Sequence, residues 1–485
     1  MSDKEKVASN FIWRLLERFG AQGVSFVVSI ILARLLDTTT YGTVALITVI
    51  TSILQVFVDS GLGSALIQKK NADDIDFSTV FYFNFFVCIL LYSLLFFAAP
   101  FIAAFYRQEQ ITPVIRVLGV ILIISGFKNI QNAYVSRNLL FKKYFFATLG
   151  GTVTAAFVGI WLAYKGYGVW ALVIQNIVNQ TIDTIILWIT VKWRPKAVFS
   201  WKRLKKLYSY GWKLLISSLI ETVWLQLRQL IIGKKYSADD LAFYNKGDEY
   251  PRILTTSINS SLDSVLFPVM SQAQDSQDEV KKITRKAIQV ESYVLWPMMI
   301  GLAACAETVI SVLLTDKWLE SALYLRIFCI TYAFYPIHTA NLNAIKAMGR
   351  SDLFLKLEIL KKIMGVMLLL VSMWISVKAM AYSLLLSSVA SQIINSWPNK
   401  KLLNYSYIDQ IKDIFPSAFL ALIMGGAVYF LGYIRLPGII VLVIQIVIGA
   451  IIYIGLSCIL KIDSFNSMKD IALKLISRNN KLNSI

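Results

Sequence analysis

The chain is poor in the residues from which catalytic and metal sites are built. It has one histidine, His338, and four cysteines among 485 residues. Cys88, Cys305, Cys329 and Cys458 all fall inside apolar segments, and no CxxC spacing occurs. They read as small apolar fillers, neither disulfides nor metal ligands. A lone histidine in an apolar segment is more often a hydrogen-bonded packing residue than a catalyst, and no metal cluster can be assembled from it. No glycine-rich phosphate loop follows a strand, and the longest polar stretch, about 191–208, is short and basic. Catalysis is not expected, nor is any cofactor. Acidic residues are also scarce: 29 Asp and Glu face 48 Lys and Arg, for a net charge of +19.

Apolar residues are abundant instead. They make up 57% of the chain, with a mean hydropathy of +0.62. A soluble domain of this length could not hide that surface, so the solvent is lipid. A spanning helix needs about 20 apolar residues. About fourteen such spans are predicted, near 11–34, 41–66, 78–105, 112–135, 144–164, 167–191, 208–233, 243–270, 288–314, 321–347, 353–376, 379–398, 411–432 and 436–460. The eighth, with Asp248, Glu249, Arg252 and Asp263, and the eleventh are the weakest by hydropathy.

Positive charge in short loops sets orientation. Lys69/Lys70, Arg137/Lys142/Lys143, Lys192–Lys206, Lys281–Lys286, Lys346/Arg350 and Lys400/Lys401 all fall in even-numbered loops, with Lys4/Lys6 before the first span and Lys461–Lys481 after the last. Odd-numbered loops are poorer. Only an even number of spans keeps this pattern in phase, and both termini are expected in the cytoplasm. The excess charge follows membrane boundaries, so no nucleic-acid partner is expected. The first apolar stretch is too long for a signal-peptide core and is read as an anchor.

The two halves resemble each other at a period of about 200–210 residues. Trp13-Arg14 corresponds to Trp212-Lys213, the segment Asp37–Gly42 to Ser237–Ala242, Arg116 and Leu118 to Arg326 and Phe328, and the polar cluster Asn129–Asn132 to Thr339–Asn343. Six spans is an even number, so the copies are parallel. The expected fold is an all-α polytopic membrane protein: two six-helix lobes, residues 1–200 and 201–400, around a central cleft, then two further helices in 401–460 and a basic cytoplasmic tail in 461–485. Trp201, Leu204 and Leu207 alternate with Lys202, Arg203, Lys205 and Lys206, which predicts a short basic helix lying on the inner leaflet. The tail, with Ile462, Phe465, Met468, Ile471 and Leu475 at helical spacing, predicts another.

An ionisable residue inside a span costs roughly 2.5–3.5 kcal/mol on insertion scales, so it usually faces a partner or a polar cavity. Arg14 and Arg18 share a face of the first span with Glu17 beside them; alternatively they snorkel to phosphates. Glu221, Trp224, Leu225 and Arg228 form one stripe of the seventh span, as a salt-bridged structural pair or as cavity lining. Lys128 lies near Asn129 and Asn132 in the fourth span, and Lys361 near Glu358 in the eleventh. Asp59, Asp263, Glu291 and His338 add polar candidates that could line the cavity or couple an ion, none of them singled out by the sequence. The five cations Arg14, Arg18, Lys128, Arg228 and Lys361 exceed what internal pairing needs, and surplus cations in a cavity suit an anionic ligand. Arg and Lys hold phosphate by charge-assisted hydrogen bonds, Arg often with two at once.

Several segments, in order, resemble the bacterial polysaccharide transporter family, the oligosaccharide and lipopolysaccharide flippases of the multidrug/oligosaccharidyl-lipid/polysaccharide exporter superfamily. They are IILARLLDTTTYGTVALITV, VDSGLGSALIQKK, GYGVWALVIQN, VKWRPKAVFSWKRLKKLYSYGWKLLISSLIE, FPVMSQAQD and KAMGRSDLFLKLEILKK, spread over roughly residues 10–400. The resemblance implies a flippase of the bacterial cytoplasmic membrane that carries undecaprenyl-diphosphate-linked sugar repeat units by alternating access, for O-antigen, capsule, exopolysaccharide or teichuronic acid. Its partners would be that lipid-linked oligosaccharide, membrane lipids, and the polymerase and glycosyltransferases of the same pathway. A drug/cation antiporter of the superfamily would favour an acidic cavity, against which the interior Arg and Lys count. A polysaccharide polymerase or ligase would need a large outer loop, and no odd-numbered loop here is long.

Overall fold

Seventeen α-helices and one 3₁₀ turn carry the chain, with no strand among the described residues. The computed structural model describes residues 3–59 and 61–466, and all their side chains except those of residues 3–12, 14–19, 261 and 264. In order come α1 (Asp3–Leu35), α2 (Thr38–Asp59), α3 (Leu62–Gln68), α4 (Asp74–Tyr106), α5 (Ile111–Arg137), α6 (Phe141–Tyr164), α7 (Val169–Thr190) and α8 (Trp201–Lys235). Then follow α9 (Ala238–Gln272), α10 (Gln277–Ala304), α11 (Ala306–Leu314), α12 (Ser321–Ala333) and α13 (Tyr335–Ala347). The last four are α14 (Ser351–Ser372), α15 (Val377–Leu402), α16 (Tyr407–Leu431) and α17 (Gly438–Ile459).

Ten of these, counting α2 and α3 as one, are long and apolar enough to cross a membrane. The other predicted spans fall on α1, α9, the pair α12–α13, and α14. Two of those, α9 and α14, carry the acidic and basic residues that made spans eight and eleven weak. The helix breaks have local causes. Gly61 has φ +66°, a left-handed conformation, and separates α2 from α3; a Cβ there would also lie 2.3 Å from the Gly211 carbonyl oxygen. Pro336 sits in the first turn of α13, where its missing N–H costs nothing, and the span divides just before it.

The chain forms two compact units, Met1–Ala242 and Phe243–Ile485. In the first, α6 packs on α7 and α1, α5 on α4 and α7, and α8 on α2 and α3. The predicted surface helix around Trp201 is instead continuous with the seventh span as α8. Leu204 and Leu207 are buried with Leu62, Leu66, Phe77 and Trp193 in the core of this unit rather than in the leaflet, because protein closes over that side of the helix. The tail helix expected near Met468, Ile471 and Leu475 lies outside the described residues.

Side chains complete the helix ends. The first four N–H and last four C=O groups of a helix have no partner within it. Arg137 donates to the carbonyls of Leu66 (2.7 Å), Ile67 (3.2 Å), Lys69 (2.6 Å) and Lys70 (2.9 Å), closing the C-terminus of α3. Asp73 and Asp76 form a reciprocal capping box at the start of α4. Arg203 reaches Asp73 at 2.5 Å, Lys69 reaches Asp76 at 2.5 Å and Lys196 reaches Asp74 at 2.6 Å. The extended stretch before α8 is therefore held on the start of α4, where Lys196 N–H also donates to Ser78 Oγ at 2.9 Å.

In the second unit α10 is central, packed by α12, α13 and α16. Tyr293 on α10 donates to Ser457 Oγ at 2.9 Å, and Tyr453 donates to the Tyr293 carbonyl at 2.9 Å, which ties α17 to α10. A buried amide cluster ties α16 to α13 and α15. Asn341 donates to Gln410 Oε1 at 2.7 Å, Asn399 donates to Asn341 Oδ1 at 2.6 Å, and Ser396 donates to Gln410 Oε1 at 2.9 Å.

Two consequences are testable. A Cβ on Gly42 would lie 1.7 Å from the Ala238 carbonyl oxygen, where Thr38 and Thr39 donate to Asp239 at 2.5 and 2.9 Å. Gly42→Ala is therefore expected to destabilise the protein by about 1–3 kcal/mol, read as a lower thermal-unfolding midpoint in detergent. The Arg203 guanidinium holds the Asp73 carboxyl down to about 2. A depressed carboxyl contributes stability that is present above its unfolded value of about 3.9 and is lost as pH falls through the folded value. Hydrogen-exchange protection of residues 70–78, corrected for intrinsic rates, is expected to hold down to about pH 4 and fall between there and about pH 2. In Arg203→Ala the loss is expected to begin at higher pH.

Candidate functional site

The charged side chains inside the helices differ in what surrounds them. In the first unit Lys128 projects from α5 toward α7, where its ammonium lies 2.5 Å from Asp183 Oδ2 and donates to Gln180 Oε1 at 3.1 Å. Asp59, at the C-terminus of α2, lies within electrostatic reach of Lys128 and accepts from the Gln55 amide at 3.5 Å. Gly61 ends α2 here and leaves its last carbonyls without helical partners. Asn84 and Asn129 each donate to the Val58 carbonyl at 2.9 Å. Asn132, one turn along α5, is half-buried, and its Oδ1 has no hydrogen-bond partner among the described residues. The structure thus brings Lys128, Asp59 and the asparagine cluster to one place. It also supplies Asp183, from α7.

Arg228 is 8% exposed, and its guanidinium carbon lies 6.0 Å from the Trp224 ring centroid, one turn earlier on α8. Glu221, two turns earlier, is exposed. The side chains of Arg14, Glu17 and Arg18 lie outside the described residues, although the α1 backbone runs through all three.

In the second unit Lys361 pairs with Glu358 at 2.5 Å on the same face of α14. His338 Nδ1 lies 2.9 Å from Asn395 Nδ2, with the Tyr335 ring 5.7 Å away. Asp263 on α9 accepts from the Asn343 amide at 2.5 Å. Glu291 on α10 differs from all of these. It is 1% exposed, Asp263 lies within electrostatic reach, and neither carboxylate oxygen has a hydrogen-bond partner among the described residues. An ionised carboxylate buried without a donor carries a large desolvation cost. A proton or a small cation would remove it.

Of the amide cluster, the sequence reading marks Asn341 within Thr339–Asn343 but not its partners Asn399 and Gln410, nor Asn395 beside His338. The signal was present: Asn395 and Asn399 are spaced i, i+4, which puts both on one face of α15. Beyond the repeat, α16 and α17 enclose with α10 a cavity of about 520 Å³ lined almost wholly by apolar groups, among them Pro297, Met298, Leu302, Val428, Ile446 and Tyr453.

The pairing of Lys128 can be tested directly. Removing one partner of a buried ion pair strands the other, at a cost of about 3–5 kcal/mol. Lys128→Ala is expected to lower unfolding stability by that order, and the double variant Lys128→Ala/Asp183→Ala to recover most of it. A Lys128 that also contacts substrate would leave the stabilised double variant inactive in transport.

Comparison with known proteins follows from this architecture. Residues 31–323, more than half of the chain, match the polysaccharide biosynthesis protein family. The chain is 25% identical over 301 residues to the teichuronic acid biosynthesis protein TuaB of Bacillus subtilis, covering 62% of each chain. It is 24% identical over 312 residues to the succinoglycan biosynthesis transport protein ExoT of Rhizobium meliloti, covering 64% of this chain and 63% of that one. The matched regions thus span under two thirds of the length of these relatives. The fold resembles that of the lipid II flippase MurJ in an inward closed conformation, with a TM-score of 0.77 at 14% identity over 93% of this chain and 98% of that one. With this match over more than half of its length, the chain belongs to the polysaccharide biosynthesis protein family.

Proposed function

We propose that the protein moves a lipid-linked oligosaccharide, of the undecaprenyl-diphosphate class, across the bacterial cytoplasmic membrane by alternating access, with both termini in the cytoplasm. The observation that carries this reading is the pairing of opposite chemistries in one helical protein. Charged groups such as Arg228 and Glu291 lie deep in spanning helices, while α10, α16 and α17 form a cavity that is nearly all apolar. A diphosphate-sugar head needs a polar path, and a polyprenyl tail is best left in apolar surroundings. The basic groups Arg14, Arg18, Lys128, Arg228 and Lys361 are the proposed contacts for the diphosphate or an anionic sugar. Of the described cations Arg228, 8% exposed within a spanning helix, is the first to test. Its flat guanidinium can engage a phosphate through two hydrogen bonds.

Glu291 and Asp263 are the proposed coupling pair. Their acidity is also what a cation antiporter would use, so the assay needs both substrates. Deleting the gene is expected to abolish surface polysaccharide and to trap the lipid-linked repeat unit in the inner leaflet. Arg228→Ala is expected to reproduce that loss at normal protein level, and Arg228→Lys to rescue it poorly. Glu291→Gln is expected to slow transport at least about fivefold, at the low end of ordinary coupling factors, and to remove its dependence on the ion gradient. Intact polysaccharide in the deletion strain, together with faster accumulation of a cationic dye, would replace the flippase reading with the antiporter one.

A further inference from the structure

A second cavity, of about 330 Å³, lies where the ends of α10, α11, α12, α16 and α17 meet. This is the end of the unit opposite its lysine-rich loops at Lys281–Lys286, Lys346 and Lys400/Lys401. Unlike the apolar cavity, it has polar and apolar lining in equal parts. Arg326 reaches Glu307 at 2.9 Å, Ser311 donates to Asp316, and the hydroxyls of Tyr429 and Tyr433 lie 2.9 Å apart. The two tyrosine rings stand edge to face with centroids 5.6 Å apart. A small cavity with aromatic rings, a few converging charged groups and hydroxyls is of ligand-binding size and chemistry. Rings that pack on the apolar face of a sugar, beside carboxylates and a guanidinium that bond its hydroxyls, make a carbohydrate site.

The internal repeat provides a separate observation. Arg116 is the counterpart of Arg326, and in the first unit its guanidinium packs 4.3 Å from the Phe96 ring and donates to the Phe96 carbonyl at 3.2 Å. The same position is thus a packing group in one unit and a cavity wall in the other. The difference coincides with α16 and α17, which only the second copy is followed by and which supply the tyrosines.

We propose that this cavity is a saccharide-binding subsite on the face away from the basic loops, where it takes sugars of the transported head group. The proposal rests on the lipid-linked oligosaccharide reading above. With two carboxylates against one guanidinium in its wall, the site selects neutral or amino sugars over uronic acids.

The test uses the full-length protein in lipid nanodiscs on an array of neutral, amino and uronic di- to tetrasaccharides. Neutral or amino sugars are expected to bind, and uronic acids not to. Arg326→Ala and Tyr433→Ala are expected to weaken binding about tenfold. Thr308→Trp fills the cavity while leaving the ion pair in place and is expected to do the same. Arg116→Ala is expected to leave binding unchanged. Tyr433 is 69% exposed, so its replacement leaves the packing intact, and thermal unfolding of each variant checks this. Absence of saccharide binding by the wild type, a preference for uronic acids, or binding untouched by both Thr308→Trp and Arg326→Ala would each overturn the subsite. Normal surface polysaccharide in the deletion strain would overturn the transport reading instead, and the array result would still decide the cavity's chemistry.

Discussion

Hydrocarbon offers a polar group no water to fall back on, and the rest of this structure follows from that constraint. Every break in a spanning helix frees backbone groups, and at the ends of α2 and α3 side chains take them up. Asn84 and Asn129 converge on the Val58 carbonyl where α2 stops, and Arg137 spans four carbonyls where α3 stops. Charges obey the same demand: Lys128 has Asp183, and Lys361 has Glu358. Helix breaks and buried ions are thus one problem solved by the same means. At the end of α2 they lie close together, because Asn129, which takes up the Val58 carbonyl, is the neighbour of Lys128.

The constraint also explains how two helices beyond the repeat are secured. Apolar contact between helices is weakly specific in lipid, because the surrounding chains are as apolar as the helix faces. Directional bonds specify position instead. Asn341, Ser396, Asn399 and Gln410 fix α16, and Tyr293, Tyr453 and Ser457 fix α17. With those two helices placed, both cavities of the second unit acquire their walls. The added helices therefore form cavity wall, where a lipid-facing buttress would need no such network.

Fold class was legible in the sequence because its signals are long and redundant. Twenty-residue apolar runs and alternating loop charge survive small errors of boundary. Even the weakness of α9 and α14 followed from residues in plain view, such as Arg252 and Lys361. The site was less legible because it depends on contacts between helices. Lys128 could be seen to lie in a span, but its proximity to Asp183, 55 positions later, arises from how α5 crosses α7. The helix at Trp201 shows the same limit. Its amphipathic pattern says that one face is covered, and the pattern is identical whether lipid or Leu62 and Phe77 cover it.

Which buried group could drive a transport cycle is a question of differential affinity. A ligand or proton shifts a conformational equilibrium only by as much as its interaction differs between the two states. Lys128 is satisfied by Asp183 and Gln180, so a ligand must first displace partners as good as itself. Glu291 has no hydrogen-bond donor among the described residues, so its two oxygens would gain whatever a proton or cation brings and lose it when the site is emptied. That asymmetry is what makes a titratable or cation-binding group useful in a machine, since the stored cost of the empty state becomes a bias toward the conformation that hydrates it. The neighbouring Asp263, held by the Asn343 amide, strengthens the bias by adding a second negative charge while itself remaining anchored. Fixed ion pairs such as Lys128–Asp183 then hold the helices in place, and this is why Glu291 is the group proposed for coupling.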